Sequence, residues 1–122
     1  MKPTFAGGVN IALKIPKSKY EETVRFYRDI LKLEVGPEKP MEHPTVSKPH
    51  QVTFGPNTVW LDCVENYSHS EVWLEMKTNN VAEATSHLAA HGIGTRDELE
   101  KIPEEMHWIQ DPAGNVFVLK NE

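Results

Sequence analysis

The sequence predicts a single α+β domain built from two similar modules, each with the order strand, helix and three strands. In the first half, an alternating apolar strand is followed by a helical pattern and a hairpin, and the second half repeats that order. The final stretch, residues 107–120, predicts a closing hairpin because Asp111 and Pro112 favour a tight turn before a β-branched and aromatic run. We place the modules at about residues 8–66 and 70–120.

Composition limits the classes of protein to consider. The chain has 122 residues, of which 39% are hydrophobic, and a formal net charge of -5, which suits one domain with one core. It lacks the Lys and Arg runs that bind nucleic-acid phosphates and the roughly 20 apolar residues that a membrane helix needs. With one cysteine, Cys63, and no apolar leader, we expect a cytoplasmic protein without nucleic-acid or membrane partners.

The first module has a clear beginning and end and an irregular middle. Residues 9–15 alternate between apolar and polar side chains, which predicts a half-buried strand. A serine and a glutamate three positions apart form a capping-box pattern, which predicts a helix over about residues 18–32. Prolines interrupt the next stretch, so we expect only a short edge strand over residues 33–36. A hairpin over residues 50–64 completes the module.

The second module repeats this order. Residues 71–76 alternate in polarity and predict a strand. Asn80 is a suitable N-cap for the helix that follows, and Gly92 suits the left-handed conformation just after its end. We expect three further strands, one over residues 93–99 and the two strands of the closing hairpin.

The doubled module, the stretch FYRDILKLEV at the end of the first helix, and DPAGN before the last strand resemble the vicinal oxygen chelate superfamily. This group includes glyoxalase I, bleomycin and fosfomycin resistance proteins, and extradiol dioxygenases. The resemblance implies that each sheet curls into a half-open cup, with helices on the convex face and the ligand or metal on the concave face. It also implies a homodimer, because two-module members commonly complete their cavities with a partner subunit.

Strand alternation then divides the side chains between the two faces of each sheet. The apolar rows should face the helices, and their neighbours in sequence should face the cup. The residues expected in the cup are Asn10, Ala12, Lys14, Trp60, Asp62, Glu71, Trp73, Glu75, Val116 and Val118.

The metal positions that the resemblance implies are Asn10, Asp62, Glu71 and Val118. Val118 replaces the carboxylate that is usual in the family, and valine has no lone pair to donate. Asn10 stands where histidine is common. A divalent metal cofactor such as Mg²⁺ or Mn²⁺ could still be held by Asp62, Glu71 and Asn10 with water. That set is incomplete, so we expect a cup without a complete catalytic metal site.

Two tryptophans suggest what the cup binds. Trp60 and Trp73 are placed there by alternation, one from each module, beside Asp62 and Glu71. Aromatic faces next to carboxylates suit a flat or cationic organic molecule. The competing interpretation is that both indoles fill a small core or a dimer contact. The pattern does not assign the side chain of Trp108 to either face of its sheet.

The histidines give weaker signals. His50 and His107 begin strands near the rim of the cup, where they could touch a ligand or move a proton. His87 and His91 have a spacing that can bind zinc, but no third ligand is evident, so we expect an exposed pair on a solvated face. The remaining histidines are expected at the surface: His43 and His69.

Three functional hypotheses follow. The first is a homodimeric small-molecule-binding protein of the resistance or sequestering type, which takes an aromatic or cationic ligand without a catalytic metal. The second is a lyase, isomerase or dioxygenase that depends on a divalent metal held by a reduced ligand set. The third is a subunit whose cup is filled by its own side chains. We expect the first.

Overall fold

Two three-stranded mixed sheets and two helices form the fold. The computed structural model describes residue 4 and residues 6–38, 48–65 and 71–122. The first sheet has the order β1-β3-β2, with β1 (Asn10–Pro16), β2 (Pro49–Phe54) and β3 (Asn57–Val64). The second has the order β4-β6-β5, with β4 (Trp73–Thr78), β5 (His107–Gln110) and β6 (Val116–Asn121). In each sheet the central strand pairs parallel with the first strand and antiparallel with the other, which confirms the predicted α+β class and its doubled arrangement.

The first helix begins later than predicted. A 3₁₀ turn over Lys17–Lys19 precedes α1 (Tyr20–Arg25), which continues as a π-helical turn over Phe26–Ile30. Ser18 lies inside the 3₁₀ turn, so the predicted capping box is wrong. The chain leaves the π-helical turn through Lys32, which adopts a left-handed φ of 58°.

The second helix, α2 (Val81–Ala90), has the predicted ends. The side chain of Asn80 caps it, since Asn80 Oδ1 accepts a hydrogen bond from the Glu83 N–H at 3.0 Å. Gly92 has a φ of 81°, and the Ile93 N–H donates to the Leu88 carbonyl, which closes the last turn. No helix within the described residues is long and apolar enough to cross a membrane.

The sequence predicts four strands in each module, but one predicted edge strand in each makes only a short contact with its sheet. In the first module the predicted edge strand over residues 33–36 is one bridge between Val35 and Val52, flanked by two backbone hydrogen bonds. In the second, residues 93–99 are irregular and join the sheet where the Arg96 N–H donates to the carbonyl of Trp108. Neither stretch has the β-branched and aromatic content that sustains a longer ladder.

One hydrophobic core joins the two modules. The ring of Phe117 on β6 lies 6.0 Å from Phe54 of β2 and 6.2 Å from Tyr27 of the π-helical turn, measured between centroids. The strand faces predicted to meet the helices supply much of this core. Its buried members include Leu13, Ile15, Val59, Leu61, Cys63, Met76 and Leu119. The opposite face of each sheet carries the polar residues and is called here the polar face.

The turn between β5 and β6 is built around Asp111. Asp111 Oδ1 accepts from the backbone N–H groups of Ala113 and Asn115, and Oδ2 accepts from the Asn115 side-chain amide at 2.8 Å. Oδ2 also accepts from the Tyr27 hydroxyl at 2.6 Å. Burial, together with the neighbouring carboxylate, raises the pKa of Tyr27 and keeps this hydroxyl protonated. The turn of the second module is therefore bonded directly to the helix of the first.

Candidate functional site

The polar face of the first sheet is centred on Trp60. Trp60 lies on β3 between Ala12 of β1 and Gln51 of β2. Its indole Nε1–H donates to Asn10 Oδ1 at 2.9 Å. This bond orients the indole and uses one of the two lone pairs of the Asn10 amide oxygen.

Asp62 lies further along the same face and is paired with a lysine. Lys14 Nζ approaches Asp62 Oδ2 at 2.6 Å, and the Asp62 side chain is only 8% exposed while that of Lys14 is 40% exposed. Lys14 and Asp62 occupy neighbouring positions on the parallel strands β1 and β3. The ammonium therefore balances the charge of a carboxylate that has little contact with water.

The polar face of the second sheet carries a pair of tryptophans. Trp73 and Trp108 meet edge to face, with ring centroids 5.0 Å apart and planes at 76°. Trp108 Nε1 donates to the Glu100 carbonyl at 2.9 Å, which fixes that ring from behind. Trp73 is 40% exposed, so much of its indole is open to solvent. Trp108 lies opposite Val118 on β6, so its side chain lies on the second polar face. It continues the aromatic surface that begins at Trp73.

The four positions that the resemblance implied for a metal do not fit one. Val118 lies between Glu75 and Trp108 and offers no lone pair. Asn10 already accepts a hydrogen bond from the Trp60 indole, and Asp62 is paired with Lys14. Glu71 is exposed and lies two positions before β4, outside the sheet. No group of three or more His, Cys, Asp or Glu side chains in the described part of the chain is arranged to hold a metal ion.

The charges of the polar faces are balanced rather than acidic. Asp62 is paired with Lys14, and Glu75 lies 3.6 Å from the ammonium of Lys120. The sequence places Lys14 in the cup, but alternation alone does not show that it pairs with Asp62. These lysines reduce the attraction that the two carboxylates would exert on a cationic ligand.

His50 lies on the other face of its sheet, against α1. It is paired with Leu61, whose side chain is buried, and its Nδ1 lies 2.7 Å from the Tyr20 hydroxyl. That hydroxyl uses its only proton to donate to the Leu61 carbonyl at 2.7 Å, so His50 Nδ1–H is the donor to Tyr20. Burial raises the pKa of Tyr20 and lowers the pKa of His50, so both groups are held neutral.

This arrangement predicts a pH dependence of stability. Because the pKa of His50 is lowered below its ordinary value of 6.5, the unfolded chain binds a proton that the folded chain resists. The free energy of unfolding should therefore fall as the pH drops below about 6.5, with a slope under the one-proton limit of about 1.4 kcal/mol per pH unit.

Urea unfolding between about pH 7.5 and about pH 5.5 would measure that slope. We expect His50→Gln, which keeps an N–H donor, to flatten it relative to the wild type, and the exposed control His91→Gln to leave it unchanged. An equal slope in wild type and His50→Gln would contradict the assignment.

His107 also lies on the face opposite the tryptophans. It is paired with Leu119, and its Nδ1 lies 2.7 Å from Asp97 Oδ2. Partial burial favours the neutral form of Asp97, but its bonds with His107 and with the Trp108 N–H outweigh this and lower its pKa. His107 thus helps to anchor the irregular stretch before β5. His43 and His69 lie outside the described residues.

The structure sorts the predicted site residues into separate groups. Asn10 and Trp60 are bonded on the first polar face, and Trp73 lies on the second with Val118 one strand away. Glu71 is exposed two positions before β4. The sequence allows Trp108 to be placed by counting back from the turn at Asp111, because Gln110 pairs with Val116 across that turn. Alternation would then have put it on the face of Val118.

Comparisons with known proteins agree with this fold. The sequence matches the family model of the glyoxalase-like domain over residues 11–120. A search of curated protein sequences finds no match. Among solved structures, a putative glyoxalase family protein from Bacillus anthracis superposes with a TM-score of 0.73 at 18% identity, covering 100% of this chain and 99% of that chain.

Two further structures carry more specific descriptions. TnmS3, an antibiotic binding protein from Streptomyces sp. CB03234, has a TM-score of 0.67 at 19% identity and covers 98% of both chains. FosX, a fosfomycin resistance protein from Listeria monocytogenes, has a TM-score of 0.67 at 16% identity, covering 98% of this chain and 93% of that chain. At these identities the likeness shows a shared fold.

Proposed function

The chain belongs to the glyoxalase-like domain family of the vicinal oxygen chelate superfamily, and from this premise we propose that it binds a flat aromatic small molecule without a catalytic metal. The observation that carries the proposal is the exposed tryptophan pair on the second polar face. Trp73 is 40% exposed, and its ring and that of Trp108 meet in an edge-to-face contact. A rigid aromatic surface of this kind favours a planar ligand.

The energetics of stacking support an aromatic ligand. Covering the exposed part of the Trp73 indole removes apolar surface from water, which stabilises by about 25 cal/mol per Å², and a well-aligned ring pair adds about 0.5–1.5 kcal/mol. Trp108 is held from behind by the Glu100 carbonyl, so little side-chain entropy is lost when a ligand arrives. The pair is therefore prepared for binding before the ligand is present.

The charge pattern favours a neutral aromatic compound over a cationic one. Glu75, a carboxylate on the second polar face, lies 3.6 Å from the ammonium of Lys120. On the first face, Asp62 is balanced by Lys14. A cationic ligand would have to compete with these lysines, whereas a neutral ring system would not.

We propose a homodimer in which both polar faces contribute to one site. β1 and β4 are edge strands of their sheets, and each carries polar-face residues, including Asn10 and Trp73. We propose that a second cytoplasmic copy brings its Trp60 face opposite the Trp73 face of the first. The descriptions of TnmS3 as an antibiotic binding protein and of FosX as a fosfomycin resistance protein support a small-molecule ligand.

A calorimetric titration would test the proposal. A panel of neutral and cationic planar compounds with two to four fused rings would be screened by thermal shift, and the tightest one titrated into wild type and variants. We expect Trp73→Ala to raise the Kd by about tenfold to a hundredfold, which corresponds to about 1.4–2.8 kcal/mol, and Trp73→Phe to raise it less.

The matched control is Val9→Ala, which shortens another exposed apolar side chain outside the strands. It should leave the Kd unchanged. An unaltered Kd in Trp73→Ala, or no binding by any member of the panel, would contradict the proposal and favour a cup filled by its own side chains.

A further inference from the structure

Two histidines on α2 form an arrangement that the proposed function does not use. His87 lies in the last turn of α2, and His91 follows the helix directly. Their spacing of four residues places them on the same side, and their ring centroids lie 4.9 Å apart with planes at 59°. Both side chains are exposed, so an ion could reach them from solvent.

A hydrogen bond already orients one of the two rings. His87 Nε2 lies 2.7 Å from the carbonyl oxygen of Ile30, at the end of the π-helical turn. A carbonyl can only accept, so Nε2 carries the proton and the neutral ring keeps its lone pair on Nδ1. Metal-binding histidines typically donate their second N–H to a carbonyl or carboxylate in this way, which fixes the tautomer and increases the basicity of the other nitrogen.

We propose that His87 and His91 form a two-imidazole site for a divalent transition-metal ion, separate from both polar faces. The two rings are close enough to occupy neighbouring positions around one ion, and water would complete the coordination. The described residues contain no group of three or more such ligands, so the site depends on these two side chains.

The ligand type determines which ions bind. Imidazole nitrogens suit copper, nickel and zinc, and the general order of affinity places Cu²⁺ above Ni²⁺ and Zn²⁺. Mg²⁺ prefers oxygen ligands and should not compete. This preference is opposite to that of a site made from Asp62, Glu71 and Asn10, which would favour Mg²⁺ or Mn²⁺. The two kinds of site can therefore be told apart by the ion alone.

Titration of tag-free protein with CuCl₂, NiCl₂ and ZnCl₂ near neutral pH would test the site. We expect one Cu²⁺ per chain, weaker binding of Ni²⁺ and Zn²⁺, and no effect of excess MgCl₂. His91→Ala and His87→Gln should each weaken Cu²⁺ binding by about tenfold or more. His87→Gln keeps a donor for the Ile30 carbonyl, so the contact between α2 and the first module is retained.

The matched control is His107→Gln, because His107 is another partly exposed imidazole, next to Asp97. It should bind Cu²⁺ as the wild type does. A second readout is thermal unfolding, in which Cu²⁺ should raise the midpoint of the wild type but not of His91→Ala, by mass action on the folded state. Equal Cu²⁺ affinity in wild type and His91→Ala, or loss of binding in His107→Gln, would overturn the proposal. Neither result would bear on the aromatic site of the second polar face.

Discussion

Replacing Asp111 with alanine is expected to lower the free energy of unfolding by about 3–5 kcal/mol. The Asp111 carboxylate accepts bonds from two backbone N–H groups, the Asn115 amide and the Tyr27 hydroxyl. Removing it leaves these donors buried without an acceptor, and each unsatisfied group costs about 1–3 kcal/mol before relaxation. The loss is a large share of the 5–15 kcal/mol that is typical of a domain.

Urea unfolding measures the loss in free energy of unfolding. If Asp111→Ala does not fold, a milder variant still tests the same hydrogen bonds. Tyr27→Phe removes one donor and should cost about 1–2 kcal/mol. The double variant should cost less than the sum of the two, because the partners contact each other directly. Glu65→Gln alters an exposed pair with Lys17 and should change stability by less than about 1 kcal/mol. A comparable loss in the control and in Asp111→Ala would contradict this account of the turn.

Replacing Lys14 with methionine is expected to cost about 1.5–3 kcal/mol. The substitution keeps the apolar stem of the side chain but leaves the carboxylate of Asp62, which is only 8% exposed, without its ammonium partner. The loss of unfolding free energy is smaller than for a fully buried pair, because Lys14 is 40% exposed and its charge is screened by water.

A second substitution at Asp62 separates the lost pair from a general packing defect. Lys14→Met combined with Asp62→Leu removes both charges, and it should recover most of the stability. Lys17→Met is the exposed control, since the pair of Lys17 with Glu65 is open to water on both sides. If the double variant were less stable than Lys14→Met alone, the carboxylate would not be the source of the cost.

Strand alternation was enough to assign the two faces of the sheets. The pairing of β1 with β3 runs without a bulge from Asn10 to Pro16. The alternation of side chains between the two faces of the sheet is therefore the same as in the sequence pattern. Leu61 and Leu119 are buried and Trp73 is exposed, as alternation predicts. Val116, which was also expected in the cup, is instead buried, at 1% exposed. The replacement of a donor by Val118 was also visible in the sequence, because it depends only on residue type.

Other features depend on contacts between distant parts of the chain and could not be predicted. The bond between Tyr27 and Asp111 joins residues 84 positions apart. The pairing of Lys14 with Asp62 depends on which rotamer each side chain adopts, and it balances a carboxylate that the sequence placed beside Trp60. The expected positions of His50 and His107 near the rim rested on strand ends alone, whereas the observed registers place both on the helix side.

The proposed metal-free binding of an aromatic ligand is tested most directly by one titration under two conditions. The tightest aromatic ligand would be titrated into protein dialysed against EDTA, and then into the same protein with excess Mn²⁺. We expect the two Kd values to agree within about twofold, which is about 0.4 kcal/mol. Binding that tightens by about tenfold or more with Mn²⁺, and loses this gain in Asp62→Ala or Glu71→Ala, would contradict it.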